Sequence, residues 1–351
     1  MQQWFRFFQS IALVALMLSP TGFCFAQNPL QPSRVWSVGP LTKGEPVMGI
    51  SFGAGGATVD GPHVDSQTRS IFSATRSVVF AGDRIVIASR VGMRKIEGAQ
   101  APVGVYQLLS LDLRTGKVKN TREFLAFDSL QVFATNDAHV IVSGRKVMRL
   151  TPDLKDVGSL EFAARGHKYG DVENISPDGS TLGNATSPGF ELINTSSLEV
   201  TELTTNPSTA TSVNSGGFVT DNPYGYTDPA GTRPINHAEC GARPQFLTND
   251  LIVETGCPTP VIVDLRGTVI KTLPIKGRFS YAGVAQDGTR FALQDTRKSE
   301  RFVIYSTRTW ESIAQIEPEI PGEGQSWTAF SPDGSMFVVG SPLKLALYRI
   351  P

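Results

Sequence analysis

The residues that could perform chemistry are few in this sequence, and they lie far apart. Gly49-Ile-Ser-Phe-Gly53 matches the Gly-x-Ser-x-Gly pattern, in which a turn between a strand and a helix presents a nucleophilic serine. The segment that follows, Ala54-Gly-Gly-Ala57, is a poor start for a helix. A glycine-rich strand end is therefore the favoured interpretation, and a serine hydrolase is the alternative.

A metal site could be built around His63, which stands between Asp60 and Asp65. Zinc needs three or four converging ligands, and the sequence places no matching pair of His or Cys close by. A solvated loop is the favoured interpretation here. We predict no catalytic residue, no metal and no cofactor from these patterns.

Three other residues share a position rather than a motif. Arg243, Tyr281 and Trp327 each stand three residues before an apolar residue that precedes a polar turn. A guanidinium and two aromatic rings brought side by side could hold a ligand by stacking, by cation–π contact and by hydrogen bonds. Packing between neighbouring sheets is the alternative role for these side chains.

Two segments rich in tyrosine, glycine and charge could extend the same site. His167 and Tyr169 lie in the first segment, and Tyr224 and Tyr226 lie in the second. We expect both segments on loops at the face where the strands carrying the other three residues begin. The alternative is an ordinary exposed loop, because loops commonly have this composition.

The elements that must position these residues are short strands joined by repeated turns. Phe330-Ser-Pro-Asp-Gly has a close copy at Ile175-Ser-Pro-Asp-Gly and a weaker one at Val284-Ala-Gln-Asp-Gly. Proline favours such a turn, and glycine adopts the positive φ that ends it. Equivalent apolar marker residues recur at intervals of 33 to 53 residues, and they are Phe80, Phe133, Ile175, Val213, Phe246, Val284 and Phe330. This spacing is typical of propeller blades.

A second type of turn recurs within the repeats, as in Leu111-Asp-Leu-Arg-Thr-Gly-Lys and Val263-Asp-Leu-Arg-Gly-Thr. Two turns per repeat imply two hairpins and hence four strands, which is the composition of a blade. The last repeat ends one strand short, and Arg34-Val-Trp-Ser-Val could supply that strand. We therefore predict an all-β, seven-bladed β-propeller, closed by an N-terminal strand that completes the last blade.

The Ser-Pro-Asp-Gly turns, together with the Asp-Leu-Arg-Thr-Gly turns, give the sequence a family resemblance. Over residues 70–351 it resembles bacterial WD-repeat-like propellers of the Tol-B and YVTN kind. The Trp-Asp and Gly-His pairs of true WD repeats are missing. The resemblance implies the propeller fold, and it implies no particular activity because this fold supports many.

The N-terminal residues predict export. Arg6 precedes the apolar stretch 11–18, and the small residues Cys24 and Ala26 suit a signal peptidase. We predict that residues 1–26 are a signal peptide cleaved after Ala26, which gives a periplasmic or extracellular protein with no transmembrane segment. An uncleaved anchor is the alternative, although eight apolar residues are short for a membrane span.

Residues 27–351 are then expected to form one propeller domain with an irregular insertion at 42–70. Loss of Arg6 leaves 31 Lys and Arg against 32 Asp and Glu, so no excess positive charge favours nucleic acid. Cys240 and Cys257 remain as an even pair in an oxidising compartment. We predict a disulfide between them, which would stabilise the fold by about 3 kcal/mol, and two free thiols are the alternative.

These patterns favour a binding or scaffolding module over an enzyme. We expect its partner, a protein, a peptide or a small molecule, to bind at the face where the loops gather. The alternative is an enzyme at the mouth of the central channel, such as a lactonase-like hydrolase or a lyase. A structural component of an envelope complex is a third possibility.

Overall fold

The computed structural model describes residues 29–37, 49–53, 56–60, 75–94, 103–126, 130–144, 146–162, 170–186, 189–203, 210–221, 223–236, 243–297, 301–318, 327–340 and 344–351. The regular elements in these ranges are all β-strands. No helix long and apolar enough to cross a membrane occurs within them.

The strands form seven four-stranded sheets and one hairpin. The N-terminal strands are β1 (Arg34–Ser37), β2 (Gly49–Gly53) and β3 (Gly56–Asp60). Blades 1 to 3 contain β4 (Thr75–Ala81), β5 (Arg84–Arg94), β6 (Val103–Asp112), β7 (Val118–Ala126), β8 (Gln131–Ala134), β9 (Val140–Ser143), β10 (Lys146–Leu150), β11 (Asp156–Glu161), β12 (Gly170–Ile175), β13 (Thr181–Thr186), β14 (Phe190–Asn194) and β15 (Val200–Leu203). Blades 4 and 5 contain β16 (Ala210–Val213), β17 (Phe218–Asp221), β18 (Tyr224–Asp228), β19 (Gly231–Pro234), β20 (Pro244–Phe246), β21 (Leu251–Glu254), β22 (Val261–Asp264) and β23 (Val269–Thr272). Blades 6 and 7 contain β24 (Phe279–Val284), β25 (Arg290–Asp295), β26 (Arg301–Ser306), β27 (Ser312–Ile316), β28 (Trp327–Phe330), β29 (Met336–Gly340) and β30 (Lys344–Arg349).

Each blade runs from an innermost strand outward through antiparallel neighbours. The turns between first and second strands and between third and fourth strands therefore gather at one end of the propeller, which we call the turn face. The links between second and third strands and between blades lie at the opposite end, which we call the connection face. The predicted fold class, an all-β propeller of seven blades, is confirmed.

Side-chain oxygens fix the turns of the turn face. In blade 3 the Ser176 hydroxyl donates to Asp178 Oδ1 at 2.6 Å, and the same oxygen accepts the Ser180 backbone N–H at 3.1 Å. Gly179 follows with a φ of 72°, a region that only glycine enters without steric cost. In the equivalent turn of blade 2 this position is Ala138, with a φ of 63°.

The core lies between neighbouring blades, where the apolar faces of adjacent sheets meet. Phe190 of blade 3 and Phe218 of blade 4 have ring centroids 4.4 Å apart, and both rings are fully buried. Phe302 of blade 6 meets Phe337 of blade 7 edge to face at 5.7 Å. Because every blade is sandwiched in this way, the innermost strands are held close around a central channel.

Blade 7 takes its fourth strand from the N-terminal side of the chain. β1 pairs antiparallel with β30, with Val35 opposite Ala346. Just before β1, the backbone N–H and the hydroxyl of Ser33 both donate to the Leu347 carbonyl, at 2.7 and 2.8 Å. This is the segment for which the sequence suggests the same role.

The expected insertion at 42–70 is not irregular throughout. β2 and β3 form an antiparallel hairpin within it, and Ser51 lies in mid-strand opposite Thr58. The serine of the Gly-x-Ser-x-Gly pattern is therefore not at a turn between a strand and a helix. The glycine-rich strand was the better interpretation of that motif.

Candidate functional site

The central channel contains a cavity of about 290 Å³ lined by the innermost strands of all seven blades. The residue before each apolar marker lines this cavity, so the seven positions form a ring. Blades 3, 4 and 5 contribute the polar members Asn174, Ser212 and Gln245, which we call the polar arc. Blades 6, 7, 1 and 2 complete the ring with Gly283, Ala329, Val79 and Val132.

The polar arc is held in place by hydrogen bonds between blades. The Asn174 amide donates to the carbonyl of Thr211 at 3.2 Å, and the Gln245 amide donates to the same oxygen at 3.0 Å. The Ser212 hydroxyl accepts the backbone N–H of Phe246 at 3.1 Å. Three neighbouring blades thus converge on one carbonyl, and their side chains are fixed beside the channel.

The Thr211 carbonyl can accept both amides because Thr211 is the extra residue of a β-bulge, which lies between Ala210 and Ser212 in β16. A bulge leaves one residue out of the regular ladder, so its carbonyl is free for the side chains of neighbouring blades. Ala282, the bulged residue of β24, behaves in the same way, because its carbonyl accepts the Thr328 hydroxyl of blade 7.

The channel is constricted at the turn face. The Gln286 amide of blade 6 reaches blade 2 and donates to the Ala134 carbonyl at 3.1 Å. A Cβ placed on Gly179 of blade 3 would lie 2.7 Å from the Gln286 nitrogen and 2.9 Å from the Asn136 backbone nitrogen. Turns of three blades therefore meet in direct contact at this end of the channel.

Tyr281 is the one predicted ligand contact among the described residues that lines the cavity. Its ring packs partly against the core between blades 5 and 6, and burial raises the pKa of its hydroxyl. Trp327 packs partly buried against the core between blades 7 and 1. Arg243 is exposed, with its backbone N–H donating to Asp221 Oδ1 at 3.1 Å. These three side chains do not form one cluster around the cavity.

The reason lies in the bulge of blade 6. Ala282 has no partner in the neighbouring strand, so Tyr281 pairs with Leu293. Tyr281 is therefore only two paired positions before the marker residue Val284, although it is three residues before it in the sequence. The structural equivalent of Tyr281 in blade 7 is Thr328, not Trp327. Counting three residues back from each marker therefore compares positions that differ by one place along the strand.

Tyr224 and Tyr226 lie in β18 and have separate environments. The Tyr224 hydroxyl donates to Oε1 of the fully buried Glu254 of blade 5 at 2.6 Å. Burial, this hydrogen bond and the charge of Glu254 raise the pKa of Tyr224. Tyr226 is 4% exposed, and its hydroxyl donates to Asn214 Oδ1 at 3.1 Å. Both tyrosines join blades 4 and 5, and neither lines the cavity.

The remaining predicted residues are only partly covered by the structure. His167, Tyr169 and Cys240 lie outside the described residues, so their predicted roles stay predictions. Cys257 is buried, in the link between β21 and β22. The predicted disulfide between Cys257 and Cys240 stays a prediction.

The polar arc was missed from the sequence, although a signal for it existed. Asn174, Ser212 and Gln245 all stand immediately before an apolar marker, in three consecutive repeats. No bulge lies between that position and the marker residue, because the bulges occur earlier in the strand. The position therefore has the same register in every blade.

The cavity carries no acid–base group of the usual kind. Its described lining residues include no Asp, Glu, Lys, Arg or His. No group of three or more His, Cys, Asp or Glu that could hold a metal occurs in the part of the chain that the structure describes.

The connection face carries one feature that distinguishes blade 1 from the others. The second strand of this blade, β5, has 11 residues and the third strand, β6, has 10, whereas the second and third strands of the other blades have four to six. With about 3.3 Å per residue, five extra residues extend this sheet by roughly 16 Å past its neighbours. We call the segments 90–94, 103–107 and 123–126 the blade-1 projection. An ion pair between Arg94 and Glu123 at 3.0 Å crosses it.

No protein-family model and no curated protein matches this sequence. Two solved structures are similar to the chain in fold. A chain in the crystal structure of the mitotic checkpoint complex matches with a TM-score of 0.54 and 11% identity, covering 93% of this chain and 94% of that one. The β-propeller domain of Myceliophteria thermophila Cps50 (Swd1) matches with a TM-score of 0.54 and 12% identity, covering 79% of this chain and 96% of that one. In its fold, the chain is a WD-repeat-like β-propeller.

Proposed function

We propose that this chain is an exported scaffold propeller that binds a protein or peptide partner on its connection face, with the blade-1 projection as the main contact. The single observation that carries this proposal is the projection itself. A sheet that extends about 16 Å beyond the other blades offers a partner both of its faces as well as its edge. The faces of the shorter blades are packed against their neighbours.

The links between strands support the same face. At the turn face the described strand bounds leave two to five residues between successive strands. At the connection face the links range from two residues to the ten of 317–326, besides the long stretch between β1 and β4. Variable loops on a constant scaffold are the usual site of recognition.

The composition of the cavity favours binding over the channel-mouth enzyme. A hydrolase or lyase needs a group that accepts or donates a proton near neutral pH. Tyr281 is the only titratable side chain among the described residues of the cavity, and burial raises its pKa further from that range.

The proposal includes export as a propeller of the bacterial Tol-B or YVTN kind. The predicted signal peptide, residues 1–26, supports a periplasmic or extracellular location. A disulfide between Cys240 and Cys257 fits the same compartment. Mass spectrometry of the protein purified from the periplasm should find Gln27 as the first residue, and a mass that is lower by two hydrogen atoms before reduction than after it.

Partner binding can be tested by shortening the blade-1 projection. Replacing residues 91–105 by Asn-Gly leaves Arg90 and Tyr106, which are paired in the sheet, on either side of a two-residue hairpin turn. A second variant, Leu125→Arg, places a charge at a side chain that is 45% exposed. Arg266→Glu changes an exposed charge beside a turn-face groove and is the matched control.

Each protein would be used as bait in the native envelope fraction, with quantitative mass spectrometry of what it retains. We expect a partner that the original chain and Arg266→Glu enrich equally, and that both projection variants enrich at least tenfold less. Equal enrichment by all four proteins, with unchanged thermal unfolding, would contradict the proposal.

A further inference from the structure

The side chains of the polar arc have hydrogen-bonding capacity that the described residues do not use. The amide nitrogens of Asn174 and Gln245 are engaged with Thr211, but their carbonyl oxygens have no partner among the described residues. The Ser212 hydroxyl accepts a hydrogen bond, and within the described chain its own hydrogen has no acceptor. Amide oxygens accept and hydroxyls donate, so both kinds of group are available.

Tyr281 adds a second free hydroxyl from the next blade. It lines the same cavity, and no described residue bonds its hydroxyl. A tyrosine hydroxyl that is removed from bulk water normally finds a partner. Its unused hydroxyl therefore points to a ligand group or to water within the channel.

The two amides of the polar arc lie close enough to contact one small molecule, and Ser212 and Tyr281 line the same cavity. The amide nitrogens of Asn174 and Gln245 both lie within 3.2 Å of the Thr211 carbonyl oxygen, so they are at most about 6 Å apart. Bonds between blades hold both amides in place, and they would lose little freedom when a ligand binds. The opposite side of the ring, with Val79, Val132 and Ala329, is apolar and would contact carbon atoms.

We propose that the channel is a binding site for a small uncharged amide, which places its N–H groups on the oxygens of Asn174 and Gln245 and its carbonyl on the hydroxyls of Ser212 and Tyr281. This inference does not rest on partner binding at the connection face. It assigns the cavity a ligand of its own.

Charge and size define the class of ligand. The described lining holds no ionic side chain, so a charged ligand would lose its hydration without gaining a counter-charge. The volume of about 290 Å³ lies at the lower end of ligand pockets, which run from roughly 300 to 1,000 Å³. A molecule of the size of one capped amino acid is therefore suitable.

The test uses two probes of nearly the same shape, N-acetylglycinamide and N-acetylglycine, and a smaller third probe, glycinamide. N-acetylglycinamide is neutral, N-acetylglycine has a carboxylate at one end, and glycinamide has an ammonium at the other. Binding of each to the full chain would be measured by saturation-transfer NMR and by calorimetric titration. We expect saturable binding of N-acetylglycinamide, and binding at least tenfold weaker for both charged probes.

Tyr281→Phe is the decisive variant, because it removes only a hydroxyl that the described protein does not use. Loss of one hydrogen bond should weaken N-acetylglycinamide binding about 2- to 10-fold, with thermal unfolding unchanged. Tyr224→Phe is the matched control, since its hydroxyl lies outside the cavity, and it should bind the probe as the original chain does.

Three results would overturn the proposal. They are no saturable binding of the neutral probe, binding of a charged probe as tight as that of the neutral one, or equal binding by Tyr281→Phe and the original chain. Loss of the blade-1 projection should leave probe binding intact, which keeps this site separate from partner binding.

Discussion

The two faces of the propeller are built on opposite principles. The turn face consists of short turns whose side-chain oxygens bond their own backbone, and neighbouring turns touch across the end of the channel. The connection face has links of very different lengths and a blade that extends past the others. The comparison indicates that one face closes the fold and that the links of the other vary in length, which suits the partner binding proposed for it.

The carboxylates show the same division. The described carboxyl groups with a lowered pKa all lie at the turn face, either in a turn or at the end of the strand that leads into it, and they are Asp112, Asp137, Asp178, Asp264 and Asp333. In these turns the hydrogen bonds to the charged form outweigh its burial, which acts in the opposite direction. A negative charge is thus a regular structural part of this face.

The largest expected effect comes from crowding the turn face. Gly179→Ala would place a Cβ 2.9 Å from the Asn136 backbone nitrogen and 3.0 Å from the Ala134 carbonyl oxygen, at a φ of 72°. Left-handed strain and overpacking together should lower the free energy of unfolding by about 2–4 kcal/mol. Gly144→Ala, with nothing within 4 Å of the new Cβ, is the connection-face control. Urea unfolding should show a large loss for Gly179→Ala and less than about 0.5 kcal/mol for Gly144→Ala; equal losses would break the comparison.

The sequence was informative about the turn face for a physical reason. Its turns need particular residue types, since Ser176 and Asp178 hold the backbone and Gly179 adopts a positive φ. Such requirements leave a visible pattern, so the number of blades and the inner strands could be predicted. Ala138 takes the glycine position in blade 2, so that copy of the turn lacks the glycine of the pattern.

A series of tyrosine variants sharpens the contrast between structural and available hydroxyls. Tyr224→Phe removes a donor from the buried carboxylate Glu254 and should cost about 1.5–3 kcal/mol, as expected for a hydrogen bond to a charged group. Tyr226→Phe loses a neutral bond to Asn214 and should cost about 0.5–1.5 kcal/mol. Tyr281→Phe should cost almost nothing. The free energies of unfolding of the three variants test this order, and a large loss for Tyr281→Phe would show that its hydroxyl has a structural role.

Acid should weaken the turn face in particular. The pKa of Asp178 is lowered, because hydrogen bonds from Ser176, Ser180 and Asn249 outweigh the effect of burial. A carboxyl with a lowered folded-state pKa stabilises the fold above its unfolded value of about 3.9, and this contribution is lost as the pH falls through the folded value. We expect the difference between the unfolding free energies at pH 6 and pH 3 to be smaller in Asp178→Asn than in the original chain, by at most about 1.3 kcal/mol, which is the limit set by an unfolded value of about 3.9. If the difference between the two unfolding free energies is the same in both proteins, Asp178 does not contribute to the loss of stability in acid.

The smallest expected effect is a gain. Ala138→Gly should relieve left-handed strain of about 1–2 kcal/mol, while the added freedom of glycine in the unfolded chain costs roughly 0.5–1 kcal/mol. The net gain in stability should lie between zero and about 1.5 kcal/mol, visible as a small rise in the urea midpoint. A decrease would mean that the Ala138 methyl contributes more to stability by packing than the left-handed conformation of its backbone costs.

The candidate site could be predicted only in part, because β-bulges hide the register of the inner strands. Tyr281 was found at the channel, but Arg243 and Trp327 are offset from it by the extra residue Ala282. The position of the Thr211 carbonyl, which accepts the Asn174 and Gln245 amides, depends on another bulge, and no residue type in β16 predicts that bulge. The blade-1 projection was also missed, since its long strands differ from the others in length and not in motif.

The division between the faces is tested most directly by photocrosslinking the chain in its native envelope. A photoreactive amino acid would replace either Leu125 on the blade-1 projection or Val269 near the turn face, which are exposed to almost the same extent, 45% and 46%. We predict a crosslinked partner from position 125 and none from position 269. Crosslinks of equal yield at both positions, or at position 269 alone, would contradict the assignment of partner binding to the connection face.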